Sequence, residues 1–290
     1  MLDCSIVTDG AAGFAEDSGA SLPLHIVPWR AADEHSSAAL SAARGALHES
    51  ASHRTAPPTG GAPGPEDYYH AFRAAKRNAP IVICITSSGA LSDSFANART
   101  AAMSAGPQDI TVIDSRTICA GQGLVVMRAL KQAQTYNSIE QLVRDIRNAA
   151  ARVFSIYYVE STETLLHNGI LPAEHSVLSS MLSVRPLLTL DDGHLVTTGK
   201  ARTRAQIVDQ LIEFAQGFSA FESAVIVQPE GTQRSEVTRQ LLARWHGEIP
   251  GQPPSLSSCT AAMASFLGPH AGGLVVLGSR IGETHDILKD

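Results

Sequence analysis

Ile81-Val82-Ile83-Cys84-Ile85-Thr86-Ser87-Ser88-Gly89 is an apolar run that closes in hydroxyls and a glycine. An apolar run rich in β-branched residues, with no polar alternation, marks a strand covered on both faces, as in a parallel sheet. In α/β sheets the carboxyl end of such a strand is where ligands bind. A helix pattern follows, and a helix opens with unpaired N–H groups and a positive dipole end. Together with two hydroxyls, that end suits an anion such as a carboxylate. Ser87 or Ser88 could equally serve as an N-cap, the commonest task of serine before a helix, and composition alone favours that role.

Outward from this run, strand candidates fall at 4–8, 25–28 and 110–114 in the first half. In the second half they fall at 153–159, 187–190, 224–228 and 274–278. Helical patterns lie between them at 66–77, 93–104, 121–133, 139–152, 204–217 and 236–246. Two of these open on capping boxes, Ser138 with Gln141 and Thr203 with Gln206. The alternation predicts an α/β fold with parallel pairing and right-handed crossovers. At 290 residues the chain is long enough for two domains. The division is expected just before the strand at Val153: 1–152 as a mostly parallel sheet with flanking helices, 153–290 as a second α/β domain.

A net charge of −6 argues against nucleic-acid binding, which needs a basic face to replace counterions. Cys4, Cys84, Cys119 and Cys259 form no CxxC pair and have no histidine at metal-ligand spacing, so they read as small thiols in a reducing compartment. The opening residues lead straight into a strand without a signal-peptide pattern, and no apolar run has bilayer-spanning length. A cytoplasmic location without a membrane span is the expectation.

Several other residues could carry chemistry. Asp9 follows the first strand and reads as a hydrogen-bond anchor before a metal ligand or phosphoryl acceptor. Asp114-Ser115 ends another strand, and the Gly121 and Gly123 that follow suggest tight strand–helix packing; their spacing is neither a Walker loop nor a full dinucleotide fingerprint. A hydrolase or phosphoryl-transfer enzyme using Asp9, Asp114, Ser87 and Ser88 is the competing reading, yet no Gly-x-Ser-x-Gly elbow is present. Lys200, Arg202 and Arg204 form a small basic cluster, usually a solvated face and otherwise a docking patch. His270 stands among glycines, where a loop could bring it to a ligand. The Pro/Gly stretch 56–65 excludes regular structure and reads as a surface connection or a loop over a ligand.

In order along the chain, these pieces resemble the DegV family of lipid-binding proteins. Ile6-Val7-Thr8-Asp9 is similar to its opening strand, Ile26-Val27-Pro28 to its second, and Thr55-Ala56-Pro57-Pro58-Thr59 to its Thr-Ser loop. Thr86-Ser87-Ser88 with Leu91-Ser92 resembles its Ser-Ser segment, and Asp114-Ser115 with Gly121 and Gly123 its Asp-Ser stretch. Arg185-Pro186-Leu187, Asp192-Gly193, Lys200-Ala201-Arg202-Thr203 and His270-Ala271-Gly272 resemble its later signatures.

The resemblance implies a two-domain α/β fold that binds one long-chain fatty acid without transforming it and uses no cofactor. The implied site has an apolar tunnel for the acyl chain and hydroxyls for the carboxylate: Thr55, with Thr59 as a second candidate, then Ser87, Ser88 and His270. It also implies a fatty acid kinase as partner, with Lys200 and Arg202 at docking positions. This chain departs from the pattern at Gly10 and Ala56, where the family has serine. It departs again at Leu166-His167-Asn168-Gly169-Ile170-Leu171, where the family arginine is missing. That last loss bears on kinase docking more than on lipid binding.

Overall fold

The computed structural model describes residues 2–16, 24–29, 61–171, 184–229 and 233–279. Thr55 and Thr59 fall outside these residues. The first half runs β1 (Cys4–Asp9), β2 (Leu24–Val27), α1 (Pro65–Ala75), β3 (Ile81–Thr86), α2 (Ser94–Ala105), β4 (Ile110–Asp114), α3 (Ala120–Ala133) and α4 (Ile139–Ala150). Its four strands pair in the order β2-β1-β3-β4, all parallel. The sheet is covered on both faces, as the uninterrupted apolar run of β3 requires. Val82 and Cys84 join Val7 against Tyr68 and Phe72 of α1 and Ala98 of α2. Ile83 and Ile85 join Ile6 against Val125 and Val126 of α3 and Leu142 and Ile146 of α4. Tyr68, Phe72 and Ala75 repeat at helical spacing, and all three are buried. At the start of α4 the Gln141 amide donates to Ser138 Oγ at 3.5 Å, the first half of the expected capping box.

The second half runs β5 (Val153–Tyr158), α5 (Glu163–His167), β6 (Arg185–Asp191), β7 (His194–Ala201), α6 (Arg204–Gln216), β8 (Phe221–Gln228), α7 (Glu236–Glu248), β9 (Ser255–Ser258), α8 (Ala261–Leu267) and β10 (Gly272–Gly278). These strands pair in the order β7-β6-β5-β10-β8-β9. Here the expectation of parallel pairing fails. Only β8 and β9 are parallel; β10 lies antiparallel between β5 and β8, and β6 runs antiparallel to both β5 and β7. The last described strand, β10, enters the middle of the sheet, so its direction is set by distant partners that local alternation does not encode.

Strand β7 also escapes a reading based on apolar runs. Most of its residues are exposed at the sheet edge, where burial imposes no hydrophobic pattern. The β6–β7 connection is the two-residue turn Asp192-Gly193, with φ of 45° and 84°. Two positive φ values are what a hairpin turn matching strand twist demands. β6 pairs with β5 only at Leu187 and Leu188. The register shifts at that point, and beyond it Thr189 Oγ1 donates to the Ser155 carbonyl at 2.7 Å. The rest of the hairpin extends past β5.

One face of this sheet packs Ile156, Ile226 and Leu274 against α6 and α7, with Trp245 buried among them. The other face packs Tyr157, Leu188, Val227 and Val275 against Met263 and Phe266 of α8. That same apolar layer takes in Ala11, Leu91, Ile118 and Cys119, which follow the carboxyl ends of the first sheet's strands, so it joins the two halves. Gly123 of α3 packs on the Gly13 carbonyl, where an added Cβ would collide, so this glycine packs tightly against the segment after β1 and not, as expected, against a strand. The halves are also joined by charge. Arg128 of α3 forms a double hydrogen bond to Asp145 of α4, at 2.8 and 3.0 Å, and also pairs with Glu222 of β8. Arg152 meets the same Glu222 at 2.8 Å and donates to the Gly278 carbonyl.

Candidate functional site

Thr86, Ser87 and Ser88 at the end of β3 are fully buried. The Ser87 amide and hydroxyl both donate to Asp9 Oδ2, at 2.8 and 3.2 Å, and its hydroxyl also contacts Ser92 Oγ at 3.2 Å. The Ser88 amide donates to the Thr117 carbonyl at 2.9 Å, while its hydroxyl donates to the Gly193 carbonyl at 2.9 Å and accepts from the Ala90 amide. Neither serine caps α2, whose N-cap is Asp93. The amides of Leu91 and Ser92 return to the Ser88 carbonyl and close a separate turn ahead of the helix. This corrects both readings of a helix N-terminus at the serines. Both hydroxyls lie in a turn between strand and helix.

Asp9 is the hub beneath that turn. Its carboxylate accepts from the Ala11 amide at 3.0 Å, Tyr68 Oη at 3.2 Å, Gln122 Nε2 at 3.1 Å and both Ser87 donors. Burial pushes its carboxyl above the ordinary value, and the hydrogen bonds from Ser87, Gln122 and Ala11 oppose that rise. Desolvating a charge without a cation is costly, so the donors must compensate. With its oxygens held this way, Asp9 acts as an anchor joining β1, β3, α1 and α3.

Asp114 performs a similar task nearer the surface. It accepts from the Arg116 amide at 2.8 Å and the Gly89 amide at 3.2 Å, tying the turns after β3 and β4 together. Its carboxyl is raised by burial, against the pull of those amides and the Arg116 charge, with Asp192 adding to the rise. Arg116 itself, at φ 53°, pairs with Asp192 at 2.5 Å. The hairpin tip of the second sheet therefore touches the serine turn through Gly193 and the adjoining turn after β4 through Asp192. At φ 84° Gly193 suits glycine, and a Cβ there would run into Ser88 Oγ.

The other anticipated residues lie elsewhere. His270 is exposed on the turn before β10, in a cleft of about 450 Å³ with Tyr158, Glu160, Arg204, Ser235 and Glu236. Neither Ser87 nor Ser88 lines that cleft. Burial would raise the Glu160 carboxyl, but its hydrogen bonds and ion pairs with Arg185 and Arg204 bring it below the ordinary value. Lys200 and Arg202 are exposed, at the end of β7 and just after it. The Arg202 amide donates to Gln206 Oε1 at 2.7 Å, so the return leg of the second capping box reaches one residue upstream of Thr203. Thr55 and Thr59 lie outside the described residues.

Sequence reasoning left out Tyr68 and Gln122, which complete the Asp9 hub, because nothing local marks a side chain that donates across α-helix and sheet. It also left out Arg116. Asp192-Gly193 stood out as a motif, but its contact with Ser88 depends on a hairpin that the polar β7 concealed. Among the described residues no group of three His, Cys, Asp or Glu is placed to hold a metal ion, and no helix is long and apolar enough to cross a membrane.

A family model described as "Uncharacterised protein, DegV family" matches residues 3–279. A DegV domain-containing protein of Deinococcus radiodurans is 24% identical over 219 residues, spanning 76% of this chain and 78% of the relative. Among solved structures, a fatty-acid-binding DegV family protein from Thermus thermophilus superposes with a TM-score of 0.76 at 22% identity, over 96% of this chain and all of that one. A DegV family protein from Eubacterium eligens, loaded with heptadecanoic acid, gives a TM-score of 0.73 at 14% identity, over 95% of this chain and all of that one. At such identities the likeness to the solved structures is one of fold.

Proposed function

The chain belongs to the DegV family, and from that premise we propose that it binds one long-chain fatty acid and holds it without chemical change. The observation that carries this reading is the position of the Ser87-Ser88 turn. It adjoins an apolar layer, shared by the two halves, that includes Leu91 and Ile118 beside the turn. Ile170, Leu171, Leu190 and Leu195 pack on that layer while only partly buried. An acyl chain seated there gains about 0.8 kcal/mol per buried CH₂, so a tail of roughly sixteen carbons gains on the order of 10 kcal/mol gross. Each hydroxyl bonded to a charged head adds only about 1.5–3 kcal/mol. The tail supplies affinity and the hydroxyls fix orientation.

Of the two serines, Ser88 is the better donor to the head group. The Ser87 hydroxyl is engaged by the Asp9 carboxylate, whereas the Ser88 partner is a single carbonyl on a hairpin tip. Roles for Thr55, Thr59 and His270 at the head group rest on motif resemblance alone, as does the division into domains at 152/153. Presentation of the acid to a kinase through Lys200 and Arg202 is supported by the exposure of both residues and by the absence of an ion pair at either among the described residues.

Native mass spectrometry of freshly purified protein tests the reading: one added mass in the fatty-acid range is expected. Replacing Ser88 and Thr55 together with alanine is expected to lower retention about tenfold or more while leaving the fold intact. A wild-type protein free of any acid would remove the fatty-acid reading. An unchanged lipid content in the double variant would remove only the head-group assignment.

A further inference from the structure

The β6–β7 tip presents a carbonyl and a carboxylate side by side to the serine turn. Gly193 O takes the hydroxyl proton of Ser88 at 2.9 Å, and Asp192 Oδ1 takes an N–H of Arg116 at 2.5 Å. A hydroxyl has one proton, so Ser88 cannot donate to Gly193 and to a ligand carboxylate at once. Arg116 brings a cation to this arrangement, and two-thirds of its side chain is exposed, at 66%. Backbone conformation on both sides of the contact brings the tip into this position. Arg116, Asp192 and Gly193 all adopt positive φ, and the missing Cβ of Gly193 is what allows the approach to Ser88 Oγ. A turn merely passing by would not need such closeness.

We propose that the Asp192-Gly193 tip is an internal stand-in for the ligand's carboxylate: it occupies Ser88 and Arg116, and an entering acid head displaces it from both. This rests on the fatty-acid reading and adds Arg116 to the head-group site as the charge partner. Binding and tip docking then exclude each other at Ser88.

The test uses delipidated full-length protein and cis-parinaric acid, a fluorescent polyene fatty acid, in stopped flow. Asp192→Asn removes the competing charge with little backbone change, since asparagine tolerates the left-handed region. Gly193→Ala pushes the tip off Ser88. Each variant is expected to bind about three- to tenfold faster than wild type, the size of one exposed ion pair or one neutral hydrogen bond. Arg116→Ala is expected to cancel the gain from Asp192→Asn in the double variant and to weaken equilibrium binding. Wild-type binding with unchanged or slower rates in both tip variants would overturn the stand-in and leave the fatty-acid reading standing. If neither wild type nor the variants bind the probe, the fatty-acid reading falls and the stand-in falls with it.

Discussion

Where α3 and α4 meet β8, four charged side chains interlock mostly out of solvent; where the serine turn meets the β6–β7 tip, one exposed ion pair and one hydroxyl make the contact. Arg128 and Asp145 are only 13% and 9% exposed, against 66% and 71% for Arg116 and Asp192. Burial changes what such pairs do. In the first junction each charge has lost water and depends on its partners, so removing one strands another. In the second, water replaces either partner of the exposed Arg116–Asp192 pair, and that contact can open at little cost. The buried junction is thus fixed, whereas the ion pair at the hairpin tip can open, and the proposed ligand site lies beside the latter.

The comparison breaks most severely at Arg128. Its replacement by alanine leaves Asp145 without its double hydrogen bond and Glu222 with Arg152 alone, and is expected to cost about 3–5 kcal/mol. Urea unfolding measures this; a loss under about 1 kcal/mol would mean that the buried network contributes no more than a surface pair. A second, intermediate effect is a pH response confined to the serine side. Burial raises Asp114, so its folded-state carboxyl binds a proton more tightly than the unfolded one. Its contribution to stability is complete below the ordinary carboxyl value of 3.8 and is lost as pH rises through the raised folded value. Relative to Asp114→Asn, the wild type is therefore expected to gain stability as pH falls through that window. A difference between the two that is flat, or that shrinks toward acid, in urea midpoints across that range would contradict the assignment. The smallest effect belongs to Arg116→Ala, expected to change global stability by less than about 1 kcal/mol, with a melting shift of at most a few degrees.

The parallel sheet was legible because its evidence is local. The run at 81–86 is apolar throughout since both its faces are covered, and the carboxyl end of the strand pointed directly at Ser87 and Ser88. Ser138 and Thr203 announced their helices for the same reason: a cap is a contact between near neighbours. The antiparallel second sheet was not legible, because the place of β10 between β5 and β8 is decided by pairing across more than forty residues on either side. Nor were β7 and β9, one exposed at an edge and the other mostly serine. The site divides along the same line. The Asp9 anchor was anticipated from its position at the end of a strand, whereas its donors Tyr68 and Gln122 and the tip contact with Ser88 arise only when distant elements meet.

Thr189 is the last residue of β6 held to β5, through its hydroxyl on the Ser155 carbonyl. Three residues farther on stands Asp192, an extended lever of about 10 Å. Pivoting such an arm by roughly 15° carries its end about 2.5 Å. That travel suffices to break the 2.9 Å bond at Ser88 without disturbing a single pair in the β5–β6 ladder. A motion of side-chain size at the fulcrum thus becomes an all-or-nothing change at the far end.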